Sequence, residues 1–397
     1  LYANHDVTDI ARNDAGAQNL HQTSATIDKI VSVAKQSSRK TICFVTGVPG
    51  AGKTLVGLNV ATASSNAASD EHAVFLSGNG PLVDVLTEAL ARDSLIRGRH
   101  KTKDDASRAA SGHIQNIHRF RDEYVGNTNI PPERVVIFDE AQRAWNLEST
   151  RKFMVNKRGQ SAFEQSEPAF LMGVMDRHQG WCVIVALIGG GQEINTGEAG
   201  LQGWIDACSK DFPHWNVVYS AQLIQPEYAG KEVDLTKLPS ARQEASLHLS
   251  TSMRSFRADK LSHMVHHLIA NDAVAASRCY ESFKERFPIK ITRDLSVARI
   301  WLRNKSLGNQ TKGVIASSGA LRLKPEGLFV KNTVNAADWF LNSPDDVRSG
   351  HYLEDVATEF DIQGLEIDYT CVTWDINLYY DQGWQFQSFK IDRVGIG

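Results

Sequence analysis

Cysteine is scarce in this sequence and forms no pattern. Cys43, Cys182, Cys208, Cys279 and Cys371 are scattered through 397 positions with no C-x-x-C pair. That excludes a disulfide scaffold or a paired-cysteine zinc site and leaves reduced, mostly buried thiols, as in a cytosolic protein. No apolar stretch approaches the roughly 20 residues of a membrane span, and no secretory signal is visible, so a cytoplasmic chain with no membrane partner is expected. Neither sign of charge prevails, with 43 basic against 46 acidic residues and a net charge of −3. Any nucleic-acid contact must therefore come from a local patch and not from the total charge. Internal repeats and low-complexity tracts are missing as well. The remainder is ordinary globular composition, 42% hydrophobic and 22% charged, in a chain long enough for two or three domains. The sequence opens on Leu1 and not on methionine, and an upstream segment is expected.

The most informative stretch present is G-V-P-G-A-G-K-T at 47–54, which fills every fixed position of the phosphate-binding pattern G-x-x-x-x-G-K-[ST]. Its context fits. The run T-I-C-F-V-T (41–46) suits a buried parallel strand, and L-V-G-L-N-V-A-T-A follows with Leu55, Leu58 and Ala61 at helical spacing. Gly47, Gly50 and Gly52, with Pro49 and Ala51 between them, let the backbone wrap around phosphate, its N–H groups pointing at the anion. Lys53 is expected on the β- and γ-phosphates and Thr54 on Mg²⁺, with Leu55 completing the ATP-binding segment.

Hydrolysis needs more than a phosphate loop: a metal-holding carboxylate must come from a neighbouring strand. V-V-I-F-D-E-A-Q-R-A-W (135–145) supplies four apolar residues and then Asp139 and Glu140, at the strand end where parallel α/β sheets bind ligands. Asp139 is assigned to Mg²⁺ and Glu140 to orienting or deprotonating the attacking water. A third apolar run, W-C-V-I-V-A-L-I (181–188), leads into G-G-G-Q-E-I-N-T-G-E-A-G. That places Gln192 near the γ-phosphate as a sensor, with Glu193 and Glu198 as weaker candidates or helix caps.

With these pieces in order the chain resembles superfamily 1 helicases and, more narrowly, the Schlafen-type DNA/RNA helicase domain of many bacterial proteins. The matching stretches are 47–54, F-L-S-G-N-G-P-L (75–82), I-F-D-E-A-Q-R (137–143), G-G-G-Q-E-I-N-T-G-E (189–198), L-S-T-S-M-R-S-F (249–256) and A-T-E-F-D-I-Q-G-L-E-I-D (357–368). The resemblance implies an α/β fold of two RecA-like P-loop NTPase lobes with parallel sheets, closing on ATP and Mg²⁺. It implies that Arg254 reaches the γ-phosphate, that Gly364 and Glu366 meet nucleotide from the second lobe, and that Gln22, with Gln18 as rival, reads adenine. Asn79 is carried over as a strand contact. These families bear another arginine segment near their end. Here only Arg393 appears before V-G-I-G, so two expectations stand: a second lobe truncated at its C-terminus, or a chain of this family without that element.

The first lobe is expected over 1–240, with strands near 41–46, 73–77, 134–138, 182–188 and 216–220 and insertions near 92–121 and 146–180. The second is expected over 241–397, with strands near 288–292, 313–317 and 369–374, and Gln225–Gln243 as hinge. Between Arg92 and Arg121 eight basic residues face three acids. Arg97, Arg99, Lys101 and Lys103 are the candidates for backbone contacts to single-stranded DNA or RNA. The 146–180 stretch is read as a basic, irregular loop over the cleft. His263, His266 and His267 lack acidic or cysteine neighbours and are read as ordinary helix residues. The function expected is an ATP-hydrolysing, helicase-like or translocase-like protein. The rival is a nucleotide-gated switch for an attached effector, such as an upstream nuclease domain. A kinase built on the same loop has no use for the D-E, G-G-G-Q and Q-G-L-E segments together.

Overall fold

The computed structural model describes residues 7–63, 72–158, 163–190, 197–225, 228, 235, 238, 240–252, 256–285, 287–308 and 310–387. Contacts divide the chain into two compact units, residues 1–78 with 111–255 and residues 79–110 with 256–397. In that division 79–110 groups with the second unit and 241–252 with the first.

The chain runs through α1 (Val7–Ser37), β1 (Lys40–Gly47), α2 (Lys53–Ala63), β2 (His72–Ser77), α3 (Gly80–Ile96), α4 (Lys103–His113), β3 (Ile114–Asn116) and α5 (Ile117–Tyr124). It continues with β4 (Glu133–Phe138), α6 (Leu147–Arg158), α7 (Glu167–Asp176), β5 (Cys182–Gly189), α8 (Gly200–Asp206), β6 (Asn216–Tyr219), β7 (Ala241–Gln243) and β8 (His248–Leu249).

The first unit is built on one large sheet in the order β3–β2–β4–β5–β1–β6–β7, with β8 joining the end of β1. Every pairing in it is parallel. The central strands read as unbroken apolar runs because both faces are covered; all eight residues of β5 are buried. Gly57 lets α2 lie directly on that sheet: a Cβ there would stand 2.8–3.0 Å from Phe75, Ile137 and Leu187 on three different strands. The α/β architecture with a large parallel sheet is as expected, and so are the five first-lobe strands.

One stretch of the first unit differs from expectation. Residues 146–180 are not an irregular loop: they carry α6 and α7, and Phe170, Leu171, Met172 and Met175 of α7 enter the main core. Of the 225–243 segment expected as hinge, 226–227, 229–234, 236–237 and 239 lie outside the described residues. Tyr228, Leu235 and Leu238 pack on the main core, and β7 pairs with β6. Cys43, Cys182 and Cys208 are buried free thiols, each pushed up to about 12 by burial. Among the described residues no helix is long and apolar enough to cross a membrane.

The second unit has a smaller parallel sheet, β10–β9–β11, from β9 (Lys312–Ala316), β10 (Val356–Thr358) and β11 (Tyr369–Thr373). Strands near 313–317 and 369–374 are therefore present. The segment 288–292 forms no strand; it has no paired neighbour, and Ile291 is 96% exposed. A glycine pair sets the packing. The Trp339 indole lies against Gly313 of β9 and against Gly350, where a Cβ would come within 2.7 Å of Trp339 Cε2 and would overlap still more at Gly313. Its Nε1 donates to Asp355 O at 3.2 Å. Gly313→Ala should cost about 1–3 kcal/mol by overpacking. The measurement is a denaturant melt, and a midpoint equal to that of the parent would show that the Trp339 slot yields freely.

Candidate functional site

The chemistry-bearing residues of the first unit gather at the C-terminal edge of its sheet. Between β1 and α2 the loop turns through Gly50 and Gly52, with φ of +73° and +84°, which side-chain-bearing residues rarely adopt. Lys53, 8% exposed, folds back so that Nζ donates to Gly47 O at 3.0 Å and Val48 O at 3.4 Å. The loop is held from outside by β8. Val48 N donates to Leu249 O at 3.1 Å, and a Cβ at Gly47 would stand 2.9 Å from Leu249 Cβ. Beneath it, Thr46 Oγ1 contacts Ser220 Oγ at 2.5 Å and His248 Nδ1 at 2.9 Å. Asn19 of α1 grips the same strip from the other side: Nδ2 donates to His248 O and Oδ1 accepts from Ser250 N. A buried ammonium over a glycine cradle that opens an 11-residue helix fits a phosphate group.

Two strands away, β4 delivers Asp139 and Glu140. Asp139 N donates to Leu76 O at 2.9 Å, continuing the β2–β4 ladder to the edge. Its carboxylate meets the Thr54 hydroxyl, with both oxygens at 3.4 Å. Oxygen donors of this kind suit a hard dication such as Mg²⁺. Burial first, and then the negative Glu140 beside it, raise the Asp139 carboxyl to about 7 against the opposing pull of Lys53 and Thr54.

That shift has a sign. The folded protein holds the Asp139 proton from pH 4 to about 7, where the unfolded chain has lost it. The stability this proton contributes is present at low pH and is lost as pH rises through 7. Between pH 5 and 8 the wild-type melting temperature should fall relative to that of Asp139→Asn. Parallel melting profiles for the two proteins would show that Asp139 does not hold a proton in that window.

Glu140 takes up a left-handed backbone conformation, φ +49° and ψ +47°, which is uncommon outside glycine. Its Oε2 accepts from Gln142 Nε2, while Gln142 Oε1 accepts from Gly189 N at 3.1 Å. Behind the loop, Trp204 of α8 is fully buried and donates from Nε1 to Ala141 O at 2.8 Å. Trp145 and Glu198 form an antiparallel bridge, flanked by Asn146 N to Gly197 O and Ala199 N to Ala144 O. Thus the segment after Asp139–Glu140 is stitched to the segment after the G-G-G-Q run.

The structure therefore brings Gly47 to Thr54, Asp139 and Glu140 together on one edge. Pro49 and Ala51 lie in the loop, and Leu55 is exposed on α2. Gln22 sits exposed on α1, with Nε2 donating to Ser246 Oγ at 3.3 Å. Gln192 and Arg254 lie outside the described residues. Gly364 and Glu366 belong to the second unit. Gly364 turns with φ +79°, and a Cβ there would meet Asn79 Nδ2 at 3.2 Å. Asn79 itself caps α3, accepting from Leu82 N, and donates to Gln363 O at 2.5 Å.

In the basic segment Arg97 pairs with Asp93 and Lys103 with Glu88, while Arg99 and Lys101 are exposed. Arg121 is no part of a surface patch. It is fully buried, 3.1 Å from Glu167 Oε1, with its guanidinium over Trp145 and Phe153. Gln142, Trp204 and β8 are the supports the sequence reading missed. Gln142 lay inside the quoted D-E-A-Q-R, but nothing in that string shows that its amide is buried.

Fold and site together define an α/β protein whose large parallel sheet carries a lysine, a threonine and an acidic pair at its C-terminal edge. The chain belongs to the Schlafen group 3, DNA/RNA helicase domain family, whose profile matches residues 40–395. No curated protein matches it. The family description supports action on nucleic acid.

Proposed function

We propose that this chain binds and hydrolyses ATP with Mg²⁺ and couples the cycle to single-stranded DNA or RNA, as a superfamily 1 helicase-like or translocase-like protein with two RecA-like lobes. The observation that carries the reading is the convergence of Lys53, Thr54, Asp139 and Glu140 on one edge of a parallel sheet. Lys53 and the N–H groups opening α2 would hold the phosphates, and Thr54 and Asp139 the metal. Bound Mg²⁺ would neutralise charge on the phosphoryl oxygens. Glu140 would take or orient the proton of the attacking water. Gln192 and Arg254 remain the proposed γ-phosphate contacts, Gly364 and Glu366 the second-lobe nucleotide contacts, and Gln22 the base reader. For the strand we propose Asn79, Arg97, Arg99, Lys101 and Lys103, of which Arg99 and Lys101 are the most open to a phosphate backbone.

ATP turnover measured with and without single-stranded DNA and RNA tests this reading. Stimulation by either strand is the expected result. Turnover that ignores both strands would favour a nucleotide-gated switch for an attached effector. An absence of nucleotide binding would remove the assignment altogether.

A further inference from the structure

The placement of Glu140 on this edge depends on two neighbours, Gln142 and Gly189. The Glu140 backbone is left-handed just past the tip of β4, and a carboxylate has no donor of its own with which to anchor itself. The anchor comes from Gln142, which is 3% exposed. The backbone N–H of Gly189 can only donate, so the amide must turn Oε1 toward it, at 3.1 Å. That leaves Nε2 to face Glu140 Oε2, and an ionised carboxylate can only accept. The amide orientation is therefore fixed by chemistry at both ends. Glutamine alone serves both: glutamate offers the carboxylate no donor, and asparagine is one methylene short.

Gly189 completes the device. A Cβ there would stand 2.9 Å from Glu140 Oε2 and 3.1 Å from Gln142 Nε2, so the carboxylate occupies the space that the missing side chain leaves. Gly189 also pairs in register with Gly47, the first residue of the glycine loop. The carboxylate is thereby located relative to the strand pair that carries the loop.

We infer that Gln142 is a positioning residue that, with Gly189, holds the Glu140 carboxylate in its working place for hydrolysis. The amide commits Oε2 and leaves Oε1 as the oxygen for a water proton. This rests on the proposed ATPase reading, and it assigns roles to two residues that reading does not use.

The test is Mg·ATP turnover and fluorescent-ATP affinity of the whole chain carrying Gln142→Met, Gln142→Glu or Gly189→Ala, and of Gln142→Met in a Glu140→Gln background. Methionine keeps the volume and removes the amide. The expected result is a kcat lowered about 10–100-fold with KM and nucleotide affinity within about twofold, the signature of an interaction made in the transition state. In the Glu140→Gln background Gln142→Met should add almost nothing, because the two residues act as one unit. If Gln142→Met melts early, Gln142→Glu carries the test: it keeps the shape and the acceptor for Gly189 N–H, sets carboxylate against carboxylate, and should lose as much rate. A wild-type kcat in Gln142→Met, or a full additional loss in the Glu140→Gln background, would overturn the positioning role while leaving the ATPase reading intact. A parent that binds Mg·ATP without turning it over would sink both.

Discussion

Lys53→Ala is expected to weaken Mg·ATP binding by more than a hundredfold and to leave no measurable turnover. The lysine is nearly buried, and its ammonium rests on the carbonyls of Gly47 and Val48 at the mouth of the glycine loop. It is the only cationic side chain in the loop sequence 47–54. Removing one partner of a desolvated charge pair costs about 2–5 kcal/mol, and 3 kcal/mol is already a factor of about 150 in affinity. The substitution also takes away the positive charge that holds the Asp139 carboxyl down, so the metal position should suffer with the phosphate position. A titration with fluorescent ATP at fixed Mg²⁺ reads both. Affinity within threefold of the parent would rule out the glycine loop as the nucleotide site.

Much of the fold was legible because parallel sheets announce themselves. T-I-C-F-V-T, V-V-I-F and C-V-I-V-A-L-I are continuous apolar runs, and each lies at full burial in the sheet. The short strands escaped. β3, β7 and β8 span only two or three residues each, too few to show a period, and exist because longer neighbours offer them a ladder. The segment 288–292 shows the converse: its alternation suggests a strand, yet nothing pairs with it. Residues 146–180 were misread from their charges. The run A-F-L-M-G-V-M within them is apolar on all sides, as a helix buried in the core must be. Arg121 was counted as surface charge because its partner, Glu167, stands 46 positions away, and charge counting along the chain cannot see such a pair.

The site divides the same way. The residues proposed to touch a ligand sit in contiguous strings, so Lys53, Thr54, Asp139 and Glu140 could be named from sequence, and the structure brings them to one sheet edge. The residues that hold them there come from elsewhere: Leu249 against Gly47, Thr46 and His248 under the loop, Gly189 under Glu140. Each is a long-range contact with no local signature. β8 is the clearest case, since two residues near position 248 complete the sheet at residue 47.

Glu140→Gln should preserve nucleotide binding and slow hydrolysis by about a hundredfold or more, within the 10²–10⁴ range of losing a general base. The replacement is nearly isosteric, so the left-handed turn and the packing over Gly189 should survive. Glutamine cannot take the water's proton, and its amide can turn its oxygen to Gln142 Nε2 as the carboxylate does. Binding should hold because Lys53 and Thr54 are untouched; it should even gain slightly at Asp139, whose carboxyl is pushed up in part by the Glu140 charge. Removing that charge lets Asp139 ionise more readily, so the variant should need less Mg²⁺ for half-saturation at pH 7. Turnover and Mg²⁺ dependence of ATP binding, measured on the same preparation, separate the two effects. Lost binding would make Glu140 a structural residue. Unchanged turnover would place the base elsewhere, and an unchanged Mg²⁺ requirement would mean that the two carboxylates do not share the field that their adjacency imposes.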